Sequence, residues 1–97
     1  MKKMIAFALA MLLAMAFVSA FADFQLGSKG DAVAELQQRL IELGYLDGEA
    51  DGIFGEKTET ALIAFQTVNS LEPTGIAYLE DINLLYSDDV VPAPVEE

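Results

Sequence analysis

Three segments of the chain carry apolar residues at helical spacing. They run from Ala32 to Leu43, from Glu56 to about Asn69, and from about Tyr78 to Tyr86. Apolar side chains recur there every three or four residues, which places them on one face of an α-helix. In the first segment this face comprises Val33, Leu36, Leu40 and Leu43. The pattern predicts an all-α fold, a small three-helix bundle.

The second segment has apolar residues around more of its circumference than the first. Ile63 and Ala64 fall outside its main apolar face, which comprises Thr58, Ala61, Leu62, Phe65 and Val68. A helix that is apolar on several sides is usually surrounded by other elements. We therefore expect the second helix to be central and buried on more than one side.

A glycine-rich loop joins the first two predicted helices. Its twelve residues, 44–55, include four glycines, Gly44, Gly48, Gly52 and Gly55. Glycine is favoured where the backbone needs a positive φ, so the loop is expected to turn sharply. The loop also carries Tyr45, Leu46, Ile53 and Phe54. These apolar residues predict a loop that packs against the bundle.

Residues 1–22 have the composition of a secretory signal peptide. All but Lys2, Lys3 and Ser19 are hydrophobic, which is 19 of 22. A basic start, an apolar stretch and the small-residue sequence Ala20-Phe21-Ala22 are typical of a cleaved leader, although Ala20 offers a second cleavage position. The alternative is an uncleaved membrane anchor, because 19 uncharged residues could just span a bilayer. Both interpretations place residues 23–97 in an extracytoplasmic compartment, with no membrane partner after cleavage.

Charge and residue types restrict the chemistry of the exported part. Of the chain's 16 acidic and 5 basic residues, only Lys2 and Lys3 belong to the leader, so residues 23–97 carry 16 acids and 3 bases, a net charge of −13. Such a charge argues against binding nucleic acid or an anionic membrane surface. The chain has no His and no Cys. It therefore cannot form a thiol nucleophile, a Ser-His-Asp triad or a zinc site of the usual ligands, and we expect no cofactor and no metal.

The last eleven residues differ from the helical part. Residues 87–97 have no apolar period and contain two prolines and four acids. This composition predicts an extended, disordered acidic tail. The predicted organisation is thus a signal peptide at 1–22, a helical domain at 23–86 and a tail at 87–97.

Two stretches of the domain resemble one another. Residues 51–62 and 74–85 both begin with a turn residue followed by Gly-Ile, and both continue into a helical pattern that ends in leucine. The similarity suggests a packed pseudo-repeat, although two copies are weak evidence for one.

A longer set of residues resembles a known family. The set covers about 26–76 and reads Leu26-Gly27-Ser28-x-Gly30-x-x-Val33-x-x-Leu36-Gln37-x-x-Leu40-x-x-x-Gly44-Tyr45, then Asp51-Gly52-Ile53-Phe54-Gly55-x-x-Thr58-x-x-Ala61-Leu62-x-x-Phe65-Gln66. It is similar to the small peptidoglycan-binding domain appended to bacterial cell-wall hydrolases. The resemblance implies a three-helix bundle that binds cell-wall peptidoglycan without cleaving it, and hence no catalytic residues.

Candidate binding residues follow from that implied function. We expect ligand contacts from Tyr45, Asp51, Gly52, Gln66 and Asn69, around a shallow groove beside the loop 51–55. An aromatic ring can support a sugar, and backbone groups and amides can bond its hydroxyls and the stem peptides. Each residue also has a structural interpretation. Asp51 could accept local N–H groups, Gln37 and Gln66 could tie loops down, and Tyr45 could be half-buried core.

A calcium site is a competing interpretation of the glycine loop. Asp47, Glu49 and Asp51, followed by Gly52, match the first, third, fifth and sixth positions of an EF-hand loop. The twelfth position should hold a bidentate Glu, and it is Thr58. Because that ligand completes the site, a solvated acidic loop is the preferred interpretation.

Two other function classes compete with wall binding. Acid pairs such as Asp47 with Asp51, or Glu56 with Glu59, could serve a glycosidase, but so small a helical domain has little room for a deep cleft. The stronger alternative is a protein-interaction module of the same fold that docks a cell-envelope protein or a hydrolase.

Overall fold

The computed structural model describes residues 23–95, which form three helices with long connecting loops. The helices are α1 (Asp31–Glu42), α2 (Glu56–Val68) and α3 (Leu79–Leu85). Between residues 23 and 95 there is no β-strand, and only two isolated bridges pair Phe24 with Ala77 and Lys29 with Ile53. The predicted all-α three-helix bundle is confirmed, with helix ends within one or two residues of those expected. The predicted signal peptide, residues 1–22, lies outside the described part of the chain.

The core lies between the inward faces of the helices and the loops that cross them. Its members are apolar residues with almost no exposed surface, namely Val33, Leu36, Leu40, Leu46, Phe54, Ala61, Leu62, Phe65, Ala77 and Leu85. Leu46 and Phe54 come from the glycine loop, so the prediction that this loop packs against the bundle is confirmed at those two positions. Ile53 differs, because 51% of its surface is exposed.

The position of α2 in the bundle differs from the expectation. Ile63 and Ala64 are both exposed, and α2 buries one face only. It is α1 that makes the main contacts with both other helices. The prediction of a central α2 was therefore wrong, because apolar residues off the main face of a helix can also face solvent.

The first two helices end in the same type of C-terminal motif. At the end of α1, Gly44 has φ +89° and donates to the Ile41 carbonyl, while the Tyr45 N–H donates to the Leu40 carbonyl at 2.8 Å. This pair of bonds is a Schellman motif, which satisfies carbonyl groups that a helix end leaves free. At the end of α2 the left-handed position is held by Ser70, at φ 62°.

Residues 87–93 are not the free tail that their composition predicts. The Val91 N–H donates to Asn69 Oδ1 at 2.7 Å, and the Ala93 N–H donates to the Leu43 carbonyl at 2.9 Å. Val90 also packs against the core. Residues 90–93 are extended, as expected, but hydrogen bonds that composition does not reveal hold their backbone against the bundle. No helix among the described residues has the length and apolar character needed to cross a membrane.

Candidate functional site

A buried amide holds the glycine loop in place. Gln37 lies on the inward side of α1 with 2% of its surface exposed. Its Nε2 is within hydrogen-bond distance of Ile53 O (2.9 Å), Thr58 Oγ1 (2.9 Å) and Asp51 Oδ1 (3.1 Å). Its Oε1 accepts the Gly52 N–H at 2.8 Å. Gln37 therefore joins α1 to the loop and to the first turn of α2, as the loop-tying interpretation requires.

Asp51 and Gly52 shape the turn at this point. Asp51 Oδ1 also accepts the Ile53 N–H at 3.0 Å, which is an Asx turn. The Ile53 N–H, and then the Gln37 amide, lower the pKa of the Asp51 carboxyl, so it stays ionised. Gly52 has φ +77°, and a Cβ there would lie 3.1 Å from the Gly30 carbonyl oxygen. Only glycine allows the loop to approach the start of α1 this closely.

An open groove runs beside this loop. It has a volume of about 590 Å³ and is lined by Gln37, Leu46, Asp47, Gly48, Glu49, Asp51, Ile53, Gly55, Glu56, Lys57 and Thr58. A second depression of about 330 Å³ shares four of these residues and adds Tyr45, Thr60 and Ala61. Together they form one surface, here called the loop groove, which extends from Asp51 to Tyr45.

The loop groove is mainly acidic. Its lining includes four carboxylates, from Asp47, Glu49, Asp51 and Glu56, while Lys57 is the only base among its lining residues. Within residues 23–95, no three acidic side chains converge closely enough to hold a metal ion. The resemblance of residues 47–52 to a calcium loop therefore receives no geometric support.

Tyr45 lies at the far end of the loop groove. Its ring is half-buried and packs edge-on against Phe65, with ring centroids 5.8 Å apart and an angle of 84° between the planes. Its hydroxyl donates to the Val91 carbonyl. Burial raises the pKa of Tyr45, so the phenol is neutral at physiological pH.

The five expected contact residues do not come together in one place. Asp51 and Tyr45 line the loop groove, and Gly52 shapes the turn behind it. Gln66 has no exposed surface, so its side chain cannot reach a ligand in this structure. Asn69 lies outside the lining and bonds Val91.

Gln66 holds the turn at residues 74–76 by hydrogen bonds, as Gln37 holds the turn at residues 51–53. Its Oε1 accepts the Gly75 N–H at 3.0 Å, and its Nε2 donates to the Ile76 carbonyl at 3.0 Å. Thr74 replaces Asp51, since its hydroxyl accepts the Ile76 N–H at 3.1 Å. The similarity of 51–62 and 74–85 thus corresponds to two turns with the same hydrogen bonds, each tied to a buried glutamine on the preceding helix.

Sequence reasoning did not select most of the groove's lining. Among the residues it passed over are Leu46, Gly48, Ile53, Lys57 and Thr60. Their closeness to the glycine loop was the available signal. Their shared surface depends, however, on how the loop folds back over the first turn of α2.

A small helical bundle with an open groove beside a loop held by hydrogen bonds has the form of a binding module. Residues 29–77 match the family described as peptidoglycan binding domain. The chain belongs to this family, as its sequence resemblance indicated.

Known proteins with similar sequences include an amidase and spore cortex-lytic enzymes. The chain is 44% identical over 57 residues to the N-acetylmuramoyl-L-alanine amidase CwlM of Mycobacterium tuberculosis, which covers 59% of this chain and 14% of that protein. It is 45% identical over 60 residues to the spore cortex-lytic enzyme of Oceanobacillus iheyensis, covering 60% of this chain and 22% of the relative. The match thus spans less than a quarter of either protein.

Solved structures show the same fold. The N-terminal domain of SleB superposes with a TM-score of 0.64 at 38% identity, over 65% of this chain and 86% of that one. An L,D-transpeptidase from Xylanimonas cellulosilytica matches with a TM-score of 0.63 at 36% identity, over 76% of this chain and 36% of its own.

Proposed function

We propose that this protein is a secreted, non-catalytic module that binds peptidoglycan in the loop groove. The observation that carries the proposal is an open groove beside the glycine loop of a chain that belongs to the peptidoglycan-binding domain family. The groove lies on the surface, and the hydrogen-bonded turn at residues 51–53 supports it. A ligand would therefore meet a preformed site and would not have to pay for ordering a loop.

The groove offers three kinds of short-range contact to a wall polymer. The Tyr45 ring can pack against the apolar side of a sugar. Lys57 and the backbone of residues 47–55 can bond sugar hydroxyls and carboxylates. The carboxylates of Asp47, Asp51 and Glu56 can pair with free amines of stem peptides. An open groove with few contacts corresponds to weak affinity, with a Kd of roughly micromolar to millimolar.

Retention on insoluble cell-wall sacculi tests the proposal. We expect the intact protein to be retained, and Tyr45→Ala to lower retention by roughly tenfold, as the loss of one ring contact implies. Tyr45→Phe keeps the ring and should retain binding. Tyr78→Ala is the matched control, because Tyr78 is 41% exposed but lies outside the loop groove. Absence of retention for the intact, folded protein would contradict the proposal.

Two Asp51 variants separate ligand contact from loop structure. Asp51→Asn keeps an oxygen that can accept the Ile53 N–H, whereas Asp51→Ala removes it. If the charge pairs with an amine, Asp51→Asn should lower retention while the protein stays folded.

The same preparations should leave the turbidity of a wall suspension unchanged, since the module has no hydrolytic activity in this proposal. Clearing of the suspension would indicate an enzyme.

Export is the second part of the proposal. The leader-like composition of residues 1–22 supports it. The secreted protein should have Asp23 as its first residue, or Phe21 if cleavage follows Ala20, and intact mass spectrometry distinguishes the two. A mass that includes residues 1–22 in the membrane fraction would instead indicate an anchor.

A further inference from the structure

The segment that follows α3 lies across the ends of α1 and α2 as an extended peptide. Both backbone groups of Val91 are bonded by one side chain, since Asn69 Oδ1 accepts its N–H at 2.7 Å and Asn69 Nδ2 donates to its carbonyl at 3.1 Å. The Tyr45 hydroxyl donates to the same carbonyl. The side chain of Asn69 thus bonds Val91 as a neighbouring β-strand would bond it.

The groups that hold Val91 are themselves fixed by the bundle. Asn69 Nδ2 also donates to the Phe65 carbonyl at 2.9 Å, within the last turn of α2. Tyr45 packs edge-on against the buried Phe65 ring. These contacts do not involve residues 87–95. The groups that form the site are therefore also positioned by contacts within the bundle.

A second anchor lies two residues further along the segment. The Leu43 carbonyl, at the end of α1, accepts the Ala93 N–H at 2.9 Å. A Cβ built on the adjacent Gly44 would lie 3.4 Å from the Ala93 Cβ, so a small side chain fits at this position. The side chain of Val91 is by contrast half exposed, and its identity is little constrained.

We propose that Leu43, Gly44, Tyr45 and Asn69 form a binding site for extended peptides, here called the peptide site, which this chain fills with its own residues 90–93. The ligand class is a peptide that presents the N–H and C=O of one residue to Asn69 and a small residue with a free N–H two positions later. Pro92 lies between these two positions, where no N–H is used, and its fixed φ lowers the entropy lost on binding. The site would bind the peptide through main-chain hydrogen bonds, with little dependence on the side chains of the peptide, as in the addition of a β-strand to a sheet edge.

The short connection between α3 and Val90 explains why residues 90–93 of the same chain occupy the peptide site. Only a few residues separate the end of α3 at Leu85 from Val90. A short tether gives an effective concentration on the order of millimolar or higher, so a separate peptide binds only after the segment is displaced. This proposal does not rest on peptidoglycan binding. It gives a location and a ligand chemistry to the protein-interaction function.

To test the proposal, one substitution displaces residues 90–93 from the peptide site, and a synthetic peptide with the sequence of this segment is then added. Val91→Pro removes the N–H that Asn69 accepts, and the probe is a synthetic peptide with the sequence of residues 87–97. In NMR titrations, the amide signals of Gly44, Tyr45 and Asn69 should shift in the Val91→Pro protein, with affinity at least tenfold higher than in the intact protein. Val95→Pro is the matched control, because Val95 is 85% exposed and lies beyond the anchored residues. It should behave like the intact protein.

Two further variants make the result decisive. Asn69→Ala combined with Val91→Pro should abolish the shifts, and a peptide carrying proline at position 91 should not bind. If Val91→Pro fails to fold, Ala93→Leu takes its place, since the larger side chain collides with Gly44 and displaces the segment. A folded, released protein whose signals stay unchanged at millimolar peptide would overturn the proposal. Equal shifts with the proline-containing peptide would also overturn it.

Discussion

At the scale of single residues, two buried glutamines determine the shape of the two Gly-Ile turns. Gln37 and Gln66 each hold a Gly-Ile turn by bonding the glycine N–H and the isoleucine carbonyl. A buried amide is costly unless its donors and acceptors are used, so these side chains and the turns stabilise each other. The turn at Gln37 borders the loop groove, which links a core residue to the proposed binding function.

Replacing Gln37 by leucine tests this role. Gln37→Leu leaves the Gly52 N–H and the Thr58 hydroxyl without their partner in a buried place, so we expect the free energy of unfolding to fall by roughly 2–3 kcal/mol. Chemical denaturation measures the change. Gln38→Leu is the matched control, because Gln38 is the exposed neighbour on the same helix. Equal losses in both variants would contradict a specific role of the Gln37 amide.

The ionisation of Asp51 reports on the same turn. Its folded pKa is lowered by the Ile53 N–H and then by the Gln37 amide, so the stability linked to its charge is present above the ordinary Asp pKa. That stability is lost as the pH falls through the lower, folded value. NMR titration should place the Asp51 pKa below the usual Asp range and move it upward in Gln37→Leu. An unchanged Asp51 pKa in that variant would mean that the amide does not contribute.

At the scale of secondary-structure elements, the short helix α3 depends on its first turn. Asp81 is 4% exposed, and its carboxylate accepts the Tyr78 N–H at 2.9 Å. A seven-residue helix is too short to be stable without such a cap and tertiary contacts. Arg39 of α1 adds one such contact, since its Nε donates to the Leu85 carbonyl at the other end of α3.

Removal of the Asp81 carboxylate should loosen α3. Asp81→Ala is expected to lower the free energy of unfolding by roughly 0.5–2 kcal/mol, the range measured when a helix loses the side chain that caps its N-terminus. Amide hydrogen exchange should rise across residues 79–85. Glu80→Ala changes the exposed neighbouring acid and should leave the exchange rates nearly unchanged. If both variants exchange alike, the cap is not what holds the helix.

At the scale of the whole molecule, the net negative charge affects how the protein approaches the proposed ligand. Residues 23–97 carry a net charge of −13, and peptidoglycan is anionic overall. Long-range electrostatics therefore oppose the encounter, and the proposed affinity comes from contacts at short range.

The salt dependence of wall binding follows from this charge. Retention on sacculi should rise or stay constant as ionic strength increases, because screening weakens the repulsion between like charges. Retention measured across a sodium chloride series checks the prediction. A steep loss with salt would instead show that ion pairs in the groove outweigh the overall repulsion, with Lys57 the first residue to test, since it is the base that lines the loop groove.

Local sequence pattern was enough to predict the three helices, the packed glycine loop and the family. Helical periodicity and glycine positions act over a few residues, so Val33, Leu36, Leu40 and Gly44 could be interpreted one segment at a time. Other features depended on residues distant in the chain. Gln66 is buried because Gly75 and Ile76 fold back onto it. Ile63 keeps 36% of its surface exposed because the turn at Gly75 covers only part of that side of α2. Residues 90–93 are held because Leu43, Tyr45 and Asn69 meet at one end of the bundle. Only the tertiary structure decided these three features. A hydrogen bond between distant residues forms only when the core brings both partners together, and the apolar period of one segment carries no information about the position of another.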